Sequence, residues 1–350
     1  MRFGWLISLC ALLCILTPGA ARAEFVDDLY TANLPAADRR PATLRAARRD
    51  GLVQVLVKVT GSAPRPDNAA VRAALDKAED YLSSYSYEAS APGALRFRLV
   101  YDASAVQALL REAGLPLWTA NRPRVLVWWV THVDGQRRFV SAQEQAEAHR
   151  VLRDSFARRG VPLQLPLFDL EDIAKLSPGQ AWRQSSAALL DASQRYRGAQ
   201  LLAARAARLS DGSWSGDWRI LHEGRWLSRS ARGLTLEQFT ALGAALAAEA
   251  LASRYAMTLH DALDQRHRVT LRGLRDYRDY RSAQAALAAL EAVRRVVPEY
   301  LLGDQVSLRI EADADLAQLA RIIELDARFV PTPAGSDPGA GAGLAYEWMQ

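Results

Sequence analysis

Both cysteines of the chain, Cys10 and Cys14, stand close to its beginning. No disulfide and no thiolate-bound metal can therefore staple the 336 residues after Cys14. Those residues must be held together by burial and hydrogen bonding. The cysteines lie in an apolar run from Phe3 to Leu16, which comes after Arg2 and is broken by Pro18 and Gly19. Ala21-Arg22-Ala23 comes next, in the small-x-small pattern of a signal-peptidase site. The run is shorter than the roughly 20 residues of a bilayer span, and neither cysteine comes after the small residues that a lipoprotein site requires. The expectation is a cleavable signal peptide over residues 1–23, a mature chain in the periplasm of a Gram-negative-type envelope, and no transmembrane segment after cleavage.

The formal charge is +5, carried almost wholly by arginine, since Lys58, Lys77 and Lys175 are the only lysines. With many alanines beside it, this arginine bias reads as base composition rather than a selected basic surface. Export argues against nucleic acid as a partner.

Periodicity divides the rest into small mixed units, an α+β class with helices on mixed sheets. An N-terminal α+β domain is expected over residues 24–120. It has a strand at Phe25–Thr31, a helix opened by Pro41 and ended by Gly61, a hairpin around Pro92-Gly93, and a helix from Asp102 to Gly114. The alternation of Val53, Val55, Val57 and Val59 leaves the second half of the first helix open to a strand reading. A central αβ domain is expected over residues 121–263. The continuous apolar run Arg124–Val130 marks a buried strand. Ser141 and Glu144, then Thr235 and Gln238, read as capping boxes, and Glu223-Gly224 as a hairpin turn. Residues 264–330 show the order β-α-β-β-α-β of a ferredoxin-like domain. Residues 331–350, rich in Pro, Gly and Ala, read as a disordered tail, although Leu344–Met349 is apolar enough to dock.

Several segments carry a family resemblance. They are Val55-Leu56-Val57-Lys58-Val59-Thr60-Gly61, the run from Trp118 through Asn121-Arg122-Pro123 to Trp128, Arg158-Arg159-Gly160-Val161-Pro162-Leu163, Leu165 to Asp172, and Ala192 to Tyr196. On these the chain resembles the DUF2066 family, a secreted bacterial domain of unknown function. The resemblance implies export and no activity, because that family has no assigned catalytic residues to carry over. More weakly, the helix ending at Tyr196 and the strand opened by Gly198-Ala199 make the middle region similar to αβ domains of envelope assembly factors, such as the TolB N-terminal domain and the CsgG group.

Four groups of residues offer chemistry, each beside a plainer reading, and a scatter of arginines offers a fifth. His260, Asp264 and His267 at i, i+4, i+7 could bind zinc from one helix face, or form a polar helix end. His132 and Asp134 come just after the central strand and could act as a base and its orienting acid, yet Asp134-Gly135 is also a turn signal. Asp169, Glu171 and Asp172 could do acid–base work or bind calcium, or cap a helix. Trp128, Trp129, Trp214, Trp218 and Trp226 could stack on sugars, or pack a core. Arg122, Arg124, Arg158 and Arg159 could form an anion patch, or be solvated and salt-bridged.

No catalytic, metal or cofactor motif converges. The expectation is a non-enzymatic interaction or assembly factor of the cell envelope with a protein partner, binding through Trp128, Trp129, Arg122 and Arg159. The alternatives are an enzyme acting on an envelope polymer or small molecule, and a peptidoglycan- or carbohydrate-binding module.

Overall fold

The computed structural model describes residues 23–91, 94–258, 265–332 and 343–349. The signal peptide expected over residues 1–23 lies outside these except for Ala23.

The described residues begin with β1 (Ala23–Phe25) and β2 (Thr31–Ala36), then α1 (Pro41–Thr60) and α2 (Ala69–Asp76). The expected strand over Phe25–Thr31 is instead a turn between β1 and β2. Pro41 opens α1 and Gly61, at φ 75°, ends it. The valine alternation of its second half does not make a strand: Leu52, Val55, Leu56 and Val59 form one buried helical stripe. After α2 come β3 (Leu82–Ala91), β4 (Ala94–Tyr101), α3 (Ala103–Glu112), β5 (Pro116–Leu117) and β6 (Asn121–Pro123). The hairpin of β3 and β4 is antiparallel as expected, and β2 completes a sheet in the order β2-β4-β3. Helix α1 packs on this sheet.

The middle of the chain holds β7 (Val125–Val133), β8 (Gln136–Phe139), α4 (Ala146–Arg158), β9 (Leu163–Gln164), α5 (Leu170–Lys175), α6 (Pro178–Trp182) and α7 (Ser186–Ser193). It continues with β10 (Gln200–Arg208), β11 (Trp214–His222), β12 (Arg225–Leu234), α8 (Leu236–Tyr255) and β13 (Met257–Thr258). The sheet runs β12-β11-β10-β7-β8, with β9 also on β7. The central pair, β7 and β10, is parallel. Both faces are covered. Val125, Val127 and Trp129 pack with α4 and α8, while Leu126, Trp128 and Val130 pack with α6 and α7. That two-sided burial is why Arg124–Val130 reads as an unbroken apolar run. The Thr235/Gln238 capping box forms at the start of α8. The Ser141/Glu144 box does not. Ser141 Oγ accepts from Glu144 N at 3.1 Å, but the Glu144 carboxylate is drawn away to Arg138 at 2.8 Å, and α4 starts only at Ala146.

The last unit is β14 (Gln265–Arg272), α9 (Tyr277–Ala288), β15 (Val293–Leu302), β16 (Gln305–Ala312), α10 (Leu316–Ile323), β17 (Phe329–Pro331) and β18 (Leu344–Trp348). The first six keep the expected β-α-β-β-α-β order. The expected disordered tail is corrected at its end: β18 runs parallel to β14 on one side and antiparallel to β17 on the other. The sheet is therefore β15-β16-β14-β18-β17. Burial explains the insertion, since Tyr346 and Trp348 are 1% and 4% exposed and pack edge to face against Phe329. Residues 333–342 lie outside the described residues.

One apolar cluster includes residues of both the first and last units, from Leu29 and Phe97 to Leu308 and Trp348. Among the described residues no helix is long and apolar enough to cross a membrane.

Candidate functional site

Burial removes most of the expected binding residues from the surface. Trp128 and Trp129 are each 1% exposed, on opposite faces of β7. The Trp128 indole Nε1 donates to Ser193 Oγ at 3.0 Å. Trp129 sits edge to face or tilted against Trp214, Trp218 and Phe239. They are core packing, not sugar platforms. Of the five tryptophans considered, only Trp226 is half-buried rather than buried, and Arg219 covers its ring.

Arg122 is fully buried and is no anion receptor. Its Nε donates to Thr119 O at 2.8 Å. One terminal nitrogen reaches Gly160 O at 2.8 Å and Arg159 O at 3.3 Å, and the other reaches Lys58 O at 2.8 Å and Trp118 O at 2.7 Å. The Trp118 ring lies 3.9 Å from the guanidinium carbon. The carbonyls of Lys58 and of Arg159 and Gly160 belong to the ends of α1 and α4, where helices leave acceptors unpaired and carry partial negative charge. Burial pushes Arg122 down to about 9, which leaves it charged at neutral pH. Arg159 is half-buried beside it, and burial also lowers its pKa. Arg122 is thus a joint between α1, the β5–β6 segment and α4, to which Arg159 contributes only its carbonyl.

His132 is half-buried with its ring against Trp182 at 5.6 Å. Asp134, at φ 49°, and Gly135, at φ 74°, form the β7–β8 turn. The turn reading is the one the backbone adopts. His260 and Asp264 lie outside the described residues. His267 stands on β14, beyond the end of α8 at Tyr255, and its Nε2 is 2.8 Å from Ala314 O. It does not share a face of α8.

The acidic cluster forms a lock. Asp169 caps α5 by accepting from Asp172 N at 3.1 Å. Asp172 is 1% exposed. Its Oδ2 accepts from Tyr196 Oη at 2.6 Å and from Phe168 N at 2.8 Å. Tyr196 Oη also accepts from Leu167 N at 2.8 Å. Arg195 bridges Asp169, Glu171 and Asp172 at 2.7, 3.4 and 3.3 Å. Burial and the bond to Asp172 push the Tyr196 phenol up to about 12. Arg195 holds the Asp169 carboxyl below its ordinary range. With their lone pairs engaged in this way, the carboxylates position chain rather than substrate.

The chain that the lock positions is apolar. Leu167, Leu170 and Ile173, spaced three apart, are 68%, 86% and 55% exposed. Helix α5 packs on α7, whose Leu190 is also exposed. The satisfied, partly buried polar network fixes this segment, which makes its exposed apolar side chains the candidate site. Sequence reasoning misses them because apolar residues beside an acidic cluster suggest that the acids face water. The three-residue spacing is the available signal, and the buried Asp172 inverts its sense.

Comparison with known proteins adds one finding. A family model described as Domain of unknown function (DUF8605) matches residues 23–119, under a third of the chain. It overturns the resemblance to DUF2066, and with it the weaker likeness to envelope assembly domains. The segments that suggested those families lie largely beyond the match and include the apolar strand and capped turn that packing alone demands. No curated protein and no solved structure matches the chain.

Proposed function

We propose that this chain is a non-enzymatic interaction factor of the cell envelope, exported by a signal peptide ending at Ala23, and that it docks through the platform of α5 and α7. The observation that carries this reading is the 86% exposure of Leu170 beside the buried Asp172 lock. An apolar residue fixed in water by a network of polar side chains is pre-organised for contact, which lowers the ordering cost of association. The partner is an envelope protein with an apolar groove that receives Leu167, Leu170 and Ile173 in the manner of a short helix.

A photo-crosslinking residue at position 170, with one at Arg72 as control, tests this in cells. The expected result is a single envelope protein captured at position 170 alone, and its loss from co-purification on Leu170→Asp. Retention of that protein by Leu170→Asp, or equal capture from both positions, overturns the reading.

A further inference from the structure

On the opposite face of the central sheet a cleft of about 570 Å³ opens at the carboxyl end of β7. Its volume falls in the roughly 300–1,000 Å³ range of small-molecule sites. The topology places it with some force. The chain reaches β9 on one side of β7 through α4, then crosses the other face through α5–α7 to enter β10 on the other side of β7. In open sheets with parallel strands, such a reversal leaves a crevice beyond the strand ends in which ligands bind.

The walls supply three kinds of group. The floor is apolar, from Trp214 and Leu236. Helix α4 starts without a capping side chain, and its first residues, Ala146, Glu147 and Ala148, line the cleft. Their backbone N–H groups are helix-terminal donors. Charges complete the set. Arg138 and Glu144 satisfy each other at 2.8 Å. That leaves Arg208 on one hand and Asp134 and Glu147 on the other, with no ion pair among the described residues, all three lining the cleft.

We propose that this cleft binds a small zwitterion of the amino-acid or short-peptide class. Its carboxylate lies against Arg208 and the free N–H groups of α4. Its ammonium faces Asp134 and Glu147, and its apolar side chain covers Trp214 and Leu236. The balance of charge decides the class. A polyphosphate would meet two uncompensated carboxylates for one free arginine, whereas a zwitterion meets both signs. This site is independent of the α5–α7 platform.

The test is calorimetric titration of the purified chain with L-alanyl-L-leucine, its N-acetyl form, its C-terminal amide, and inorganic phosphate. The free dipeptide is expected to bind with a Kd below about 1 mM. Each blocked form, and the Arg208→Ala variant with free dipeptide, is expected to bind about tenfold more weakly or worse, as for loss of a charged hydrogen bond. Leu170→Asp is expected to leave binding unchanged, so this proposal and the docking reading fail separately. The proposal is overturned if the dipeptide gives no heat at millimolar concentration, if the blocked forms bind equally, if Arg208→Ala binds as the parent does, or if only phosphate binds.

Discussion

Arg122 gathers five main-chain carbonyls from three parts of the chain, a task that depends on a planar fork of donors. A lysine presents its donors from one point and leaves helix-end acceptors buried and unpaired. Arg122→Lys is therefore expected to cost about 3 kcal/mol or more in urea unfolding, and a cost below about 1 kcal/mol would contradict its role as a joint. Lys58, 1% exposed, bonds Asp28 and Thr31 O at 3.0 Å beside it, so the same region holds a second caged cation. Two phenols, one half-buried and one buried, act in the alkaline range. Burial pushes Tyr30 up to about 12 and raises Tyr346 as well. A phenol whose folded pKa lies above its unfolded value of about 10 keeps its proton when the unfolded chain loses it. Its contribution is complete below pH 10 and is lost as pH climbs towards 12. Tyr346 Oη is also buried without a hydrogen-bond partner. Tyr346→Phe is expected to be at least as stable as the parent at pH 7 and to lose stability less steeply above pH 10, by thermal melts across that range. A lower Tm at pH 7 would show that the hydroxyl has a partner.

At the scale of elements, fit between α8 and the central sheet is set by one glycine. A Cβ on Gly243 would lie 2.4 Å from the Trp218 ring, so the indole packs directly on helix backbone. Gly243→Ala improves helix propensity yet is expected to destabilise by about 1–3 kcal/mol through overpacking, measured by denaturant midpoint; a raised midpoint would show that the ring moves aside. The Thr235/Gln238 cap, the Glu223-Gly224 turn and the β-α-β-β-α-β order were legible because each is a local signal. The sidedness of β7 was not. When both faces are covered, period-two alternation vanishes, so Trp128 and Trp129 read as an aromatic surface while each lies in a different core. Strand β18 was hidden by the composition of the residues before it, and its place beside β14 is settled by distant pairing. Trp348→Ala is expected to cost about 3–5 kcal/mol, read from the same denaturant curves, and a loss under about 1 kcal/mol would mean that β18 is dispensable. The candidate site divided in the same way. The capping role of Asp169 was readable, whereas the cleft joins Asp134, Glu147, Arg208 and Trp214 from separate elements.

Over the whole molecule, the first and last units share one apolar cluster, and β5 pairs with β13 where the middle unit ends. Amides of β4 and β16 are expected to lose protection in one step during native-state hydrogen exchange, and two well-separated opening free energies would contradict that continuity. The slot filled by β18 also sets an order of events. A strand added at the rim of a sheet can arrive late without leaving a gap, but β18 stands between β14 and β17. It is synthesised after both of its neighbours, so this sheet cannot close until β18 has followed β17 out of the ribosome. Until then β14 has an open edge and Phe329 lacks the Tyr346 and Trp348 rings. Closure of the last unit is therefore set by its own late strand, and a chain interrupted between β17 and β18 keeps that slot open.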